Sequence, residues 1–241
     1  MNALYDTIGV NYAALRRPDP RIAAAIRRAL GGARTVVNVG AGAGSYEPED
    51  RDVVAVEPSA AMIAKRPAGA APALQAIAER LPFADDAFDA AMAVLTVHHW
   101  RDVAAGLAEM RRVARGPVVL VTFDPAARPW LTDYLPGLAA LDDVSMPPME
   151  RYCEALGPVR IEPLLIPHDC SDGFLYAYWR RPSAYLDERV RSGSSSFWKI
   201  DAAAGLARLA ADLESGIWAD RHAALAGLEA YDAGYRLVVA A

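Results

Sequence analysis

The stretch from Val36 to Ser59 most constrains what this chain can fold into. It reads Val-Val-Asn-Val-Gly-Ala-Gly-Ala-Gly-Ser, then a polar turn, then Val-Val-Ala-Val-Glu-Pro-Ser. Two β-branched runs without polar alternation suit buried parallel strands, which are covered on both faces. Gly40, Gly42 and Gly44 fall where the first strand should end, and positions without side chains let the backbone turn sharply and approach a ligand. The pattern predicts strand, glycine turn, helix, strand and an acidic tip at Glu57. That acid follows Gly40 by seventeen residues, near the spacing of about 20 in nucleotide-binding βαβ units, and its carboxylate can accept two hydrogen bonds from a ribose diol. A nucleoside is the implied ligand. Turn glycines that meet no ligand are the plain alternative, which the valine runs and the placing of Glu57 disfavour.

The chain has 241 residues, enough for one substantial core, so a single elaborated domain over 1–241 is expected. A formal net charge of −5 argues against a nucleic-acid or anionic-membrane partner, since no excess of basic groups is available to neutralise phosphates. Only Cys153 and Cys170 are present, without metal-ligand spacing, so neither a disulfide framework nor a metal site is expected. No secretory start and no apolar run of about 18 residues appears. The expectation is a cytoplasmic protein, monomeric or homodimeric.

Residues 1–17 read as an amphipathic helix, and Asp19 followed by Pro20 signals the start of a second, with Ile22, Ala25, Ile26 and Ala29 as its buried stripe. Ser59 is a candidate cap for a helix that carries Met62 one turn in. A fourth strand is expected over 90–95, a helix over 102–114, a fifth strand over 117–123 and a further helix over 201–214. Fourteen of the twenty Phe, Trp and Tyr residues lie after residue 120, which marks a change of character in the second half of the chain.

The glycines follow G-x-G-x-G, with Ser45 in the slot where dinucleotide enzymes carry their third glycine. This loop resembles the S-adenosyl-L-methionine signature of class I methyltransferases. Residues 75–89, Gln-Ala-Ile-Ala-Glu-Arg-Leu-Pro-Phe-Ala-Asp-Asp-Ala-Phe-Asp, are similar to the G-D-A-E-x-L-P-F-x-D-x-S-F-D block of type-11 methyltransferase domains, and Thr96-Val97-His98-His99-Trp100 is again similar. The resemblance implies a doubly wound, seven-stranded Rossmann-like α/β sheet. Its sixth strand would cover 158–166 and its last, 235–240, would be an antiparallel edge strand. Residues 1–125 would form the cofactor-binding core, and about 126–157 and 168–233 would be helical insertions over the substrate.

S-adenosyl-L-methionine is the cofactor so implied. Gly40, Ala41, Gly42 and Gly44 would embrace its amino-acid end, Glu57 with Pro58 would meet the ribose, and Met62 would lie against adenine while filling the core. Ile77 stands where the family carries an acid at the adenine edge; the Ala78 amide could still donate to the ring and Glu79 could orient the loop. The carbonyls of Ala93 and Val94 would accept from the cofactor's ammonium. Tyr12 and Arg17 would reach over its carboxylate, or else pack and stay solvated. The family also carries an acid where Asn38 stands.

The acceptor side is less determined. His98 and His99 would stand near the methyl group, and His168 beside Asp169 would face the same crevice; each is either a general base, apt for its near-neutral pKa, or a packing group. Tyr134, Phe174, Tyr178 and Trp179 would roof an apolar pocket or form the insertion's own core. The expected function is methyl transfer to an O, N or C atom of a small apolar or aromatic molecule. A cofactor-binding protein without methyl transfer and a nicotinamide oxidoreductase are the alternatives.

Overall fold

The computed structural model describes residues 16–241. Nine strands occur in chain order: β1 (Thr35–Val39), β2 (Asp52–Val56), β3 (Ala73–Leu74), β4 (Ala90–Val94), β5 (Val118–Phe123), β6 (Val159–Pro163), β7 (Ile166–Pro167), β8 (Ala230–Tyr231) and β9 (Tyr235–Ala240). Seven of them form one sheet in the order β3-β2-β1-β4-β5-β9-β6, while β7 and β8 pair as a separate ribbon. Within the large sheet only β9 runs against its neighbours. This is a doubly wound Rossmann-like sheet. Chain direction across the sheet reverses at β1, which has β2 on one side and β4 on the other. The crevice beyond the carboxyl ends of β1 and β4 is where such sheets bind ligands.

The helices are α1 (Pro20–Leu30), α2 (Ala60–Ala64), α3 (Val103–Val113), α4 (Leu131–Tyr134), α5 (Pro136–Ser145), α6 (Met149–Leu156), α7 (Glu188–Ser192), α8 (Ala203–Glu214) and α9 (Ile217–Arg221). Asp19 caps α1 by accepting from the Arg21 amide, with Pro20 in the first turn, and Ser59 and Asp102 cap α2 and α3 in the same way. Period-2 alternation sends neighbouring strand residues to opposite faces. Val36, Met92 and Val121 join Ile22, Ile26 and Leu30 of α1 on one side, and Val37, Ala91 and Leu120 join Leu107, Met110 and Val113 of α3 on the other.

Three expectations are corrected. No helix joins β1 to β2: residues 40–51 form turns. Gly40, Gly42, Gly44 and Tyr46 all take positive φ there, and alternate left-handed residues, with Pro48 beyond them, cannot propagate a right-handed helix. The strand over 235–240 is antiparallel as expected but is not at the edge. Tyr235, Leu237, Val238 and Ala240 are buried, which suits a strand flanked on both sides. The edge falls to β6, where Arg160, Glu162 and Pro163 are exposed and disfavour further pairing. The expected sixth strand also stops early, at Pro163, and Ile166 turns into the ribbon.

The last third of the chain packs backbone to backbone at one point. A methyl group at Gly205 in α8 would lie 2.2 Å from the Tyr134 carbonyl oxygen and 2.5 Å from Leu135 Cδ2. Gly205→Ala is therefore expected to lower stability by about 1–3 kcal/mol through forced separation of α8 from α4, although alanine is the better helix former by about 1 kcal/mol. A urea midpoint at or above wild type, with unchanged slope, would refute this contact.

Candidate active site at the carboxyl edge of the sheet

The glycine turn closes around Glu57. Gly40 and Ala41 donate from their amides to the Val56 carbonyl at 2.8 and 3.0 Å. The Gly42 amide donates to one Glu57 carboxylate oxygen at 2.8 Å and the Ser59 amide to the other at 2.9 Å. Glu57 thereby ties the loop to the start of α2, and each oxygen keeps a lone pair. Gly40 lies against Thr96 so closely that a Cβ would come within 2.2 Å of its hydroxyl. Gly40, Ala41 and Gly42 floor a recess whose walls include Asn38, Met62, Val94, Thr96 and His99. Asn38 is buried and donates its amide to Glu47 at 3.1 Å, whose carboxylate is paired with Arg66 at 2.6 Å.

The other residues expected at the cofactor are spread more widely. Gly44 lies beside Arg66 and Glu47 at the back of the loop. Ala93 is buried one position behind Val94, Pro58 is exposed, and Ile77 is exposed while Ala78 is buried in the α3-side core. Glu79 accepts from the Arg101 and Asp102 amides at 2.7 and 3.2 Å, holding the entry to α3. Tyr12 lies outside the described residues. Arg17 is exposed and absent from the recess, whereas its neighbour Arg16 lines it.

Arg16 belongs to a buried network. Its guanidinium donates to Asp172 at 2.6 Å, the Tyr46 hydroxyl donates to the same carboxylate at 2.9 Å, and the Asp19 amide donates to Tyr46 at 3.3 Å. The ion pair fastens the segment before α1 to the glycine turn and to the second half of the chain. Leu95, the residue after β4, has φ of 52°, a conformation that bulky side chains adopt at a cost of about 1–3 kcal/mol and that concentrates at functional sites.

A second cavity abuts the first; Arg16 and Leu95 line both. His98 faces it and His99 faces the glycine recess, their rings 3.9 Å apart. Burial holds His98 well below the usual histidine range, aided by the positive field of His99, Lys199 and Arg16, so it is a neutral imidazole. Aromatic walls come from Phe123, Phe174, Tyr176 and Tyr235, with Asp142 among them. Asp142 is buried and accepts from the Tyr176 hydroxyl at 2.8 Å; burial pushes its carboxyl up to about 6.

Of the four expected roof residues only Phe174 lines this cavity. Tyr134 donates to Asp212 at 2.7 Å and Trp179 to the Ile166 carbonyl at 2.9 Å, so these polar tips are satisfied within the chain's own core. Tyr178 packs edge-on against Tyr185. His168 faces neither cavity: its imidazole lies 3.4 Å from Glu229, and its amide donates to the Glu229 carbonyl next to the β7–β8 ribbon. The chain leaves the sheet at Pro163, and that departure carries His168 away from the crevice. Asp169 pairs with Arg21 at 2.8 Å instead.

Residues 37–121 match the family model of a methyltransferase domain. A candidate methyltransferase from an antibiotic biosynthesis pathway of Anabaena variabilis ATCC 29413 is 34% identical, with a TM-score of 0.86 over 94% of this chain and 99% of that one. The YcgJ protein of Bacillus subtilis shares the fold at 19% identity and a TM-score of 0.54, over 91% of this chain and 97% of that one. The uncharacterised protein YafE of Escherichia coli K12 is 37% identical over 73 residues, 30% of this chain and 35% of the relative, so the match spans about a third of that relative's length.

Proposed function

We propose, for a chain that belongs to the class I S-adenosylmethionine-dependent methyltransferases of the type-11 domain family, transfer of a methyl group from that cofactor to a small molecule held in the aromatic cavity. The observation that carries this reading is the pair of abutting recesses, one lined by the glycine turn that Glu57 holds from below, the other walled by aromatics, with Arg16 and Leu95 shared between them. The cofactor fits the first: the Gly40 cradle admits no side chain, and Glu57 has a free lone pair on each oxygen for a vicinal diol. Gly40, Ala41 and Gly42 would hold the amino-acid end, Met62 and Val94 would flank it, and Arg16 would meet the cofactor's carboxylate in the role expected of Arg17.

S-adenosylmethionine supplies an electrophilic sulfonium methyl whose leaving group is a neutral thioether. The chain's own residues align the acceptor and exclude water, which supplies much of the rate in displacements of this kind. His98, neutral and facing the acceptor cavity, would take the proton that the nucleophile sheds, and His99 would border the cofactor. Residues of the two insertions, 126–157 and 168–233, contribute Asp142, Phe174 and Tyr176 to the acceptor walls, in keeping with their reading as a cap on one domain.

The test is methyl transfer from labelled S-adenosylmethionine across a panel of small aromatic hydroxyl and amine compounds. With a turned-over acceptor in hand, His98→Gln is expected to lower kcat by about 10²–10⁴-fold while leaving S-adenosylhomocysteine affinity unchanged. Unchanged kcat would assign transfer to alignment alone and make His98 a wall of the cavity.

A further inference from the structure

Among the described residues four carboxylates are buried: Asp19, Glu57, Asp142 and Asp172. Three are answered from within the chain. Asp172 meets Arg16 at 2.6 Å, Asp19 meets Arg21 at 2.7 Å, and Glu57 accepts from two backbone amides. Asp142 meets no cation. Only the Tyr176 hydroxyl hydrogen-bonds its carboxylate, at 2.8 Å, and Arg128, whose field reaches it, is engaged with Asp143 at 2.6 Å. A buried carboxylate without a counter-ion is costly, and chains retain such groups where a ligand completes them.

The surroundings specify that ligand. Asp142 lines the acceptor cavity with Phe123, Phe174, Tyr176 and Tyr235. The face of an aromatic ring and a desolvated carboxylate are both complementary to positive charge. Tyr176 occupies one carboxylate oxygen and fixes its direction, which leaves the other for a donor. The remaining ionisable groups on the cavity wall do not oppose a cation: Arg16 is neutralised by Asp172 and His98 is held neutral by its burial. A phenol or alcohol would fill the same volume but would leave the charge unanswered.

We propose that the cavity is built for an amine-bearing methyl acceptor, whose ammonium takes Asp142 as its counter-ion with Tyr176 as the positioning residue for that carboxylate. The inference rests on the methyltransferase reading for the word acceptor, but the charge complementarity is tested without turnover. The probes are 2-phenylethylamine and its neutral counterpart 2-phenylethanol, titrated calorimetrically into the intact protein with and without S-adenosylhomocysteine. The amine is expected to bind at least about tenfold more tightly than the alcohol. Asp142→Asn should abolish that preference, and Tyr176→Phe should reduce it.

Should Asp142→Asn fail to fold, wild type answers the same question: bringing the pH below about 5 protonates the Asp142 carboxyl and should erase the amine's advantage. Equal affinities for the two probes, no amine binding in the millimolar range, or a preference that survives Asp142→Asn would overturn the proposal. Failure of S-adenosylhomocysteine to bind, with the amine preference intact, would instead overturn the methyltransferase reading.

Discussion

Replacing Asp172 with alanine is expected to cost about 3–5 kcal/mol of unfolding free energy, the loss typical of removing one partner from a buried ion pair. The Asp172 side chain is fully buried and that of Arg16 is 11% exposed. Without the carboxylate the guanidinium is a buried charge without this counter-ion, and the Tyr46 hydroxyl loses the acceptor it meets at 2.9 Å. Asp172→Asn retains an acceptor for Tyr46 and should lose less. Because the same carboxylate ties the segment before α1 to the glycine turn, S-adenosylhomocysteine affinity should fall in both variants along with stability. Urea unfolding monitored by fluorescence checks the first point, and an Asp172→Ala midpoint equal to wild type would show that the network contributes nothing.

Gly40→Val is expected to remove cofactor binding, by about 100-fold or more. Two independent effects point the same way. The backbone at Gly40 has φ of 71°, where a β-branched residue is strongly disfavoured. Its Cβ would also lie 2.2, 2.7 and 2.9 Å from the Thr96 hydroxyl oxygen, methyl and Cβ, so the turn must move away from the floor of the recess. Gly32→Val is the control, since a Cβ there meets nothing within 4 Å, and it should bind S-adenosylhomocysteine as wild type does. Tight binding by the Gly40 variant would mean that the ligand approaches from elsewhere.

Local chemistry made some of this legible in the sequence. The caps Asp19, Ser59 and Asp102 act on amides two or three residues away, so they are read from neighbours alone. The valine runs of β1 and β2 likewise announce strands covered on both faces. What the sequence hides depends on partners far along the chain. Asp142 meets Tyr176, and Arg16 meets Asp172, and nothing near any of them signals the pairing. Adjacent arginines 16 and 17 are equivalent as text; only the fold turns one inward. The polar strand β6 displaces β9 from the edge, a choice made by burial on both faces of β9 rather than by any motif. His168 is adjacent to Asp169 in the chain, yet the turn at Pro163 separates it from the crevice and Arg21 takes its supposed partner. The aromatics after residue 120 split between a self-packed core, which holds Tyr134 and Trp179, and the cavity wall, which holds Phe123, Phe174, Tyr176 and Tyr235, and nothing local to these residues separates the two sets.

Whether the glycine turn and Glu57 hold S-adenosylmethionine is decided by calorimetric titration of wild type and Glu57→Ala with S-adenosylhomocysteine and with NAD. The expected result is one-to-one binding of S-adenosylhomocysteine, no binding of NAD, and a loss of about 1–3 kcal/mol in Glu57→Ala from the missing charge-assisted bond to the ribose. Binding of NAD in place of S-adenosylhomocysteine, or undiminished S-adenosylhomocysteine affinity in Glu57→Ala, would contradict it.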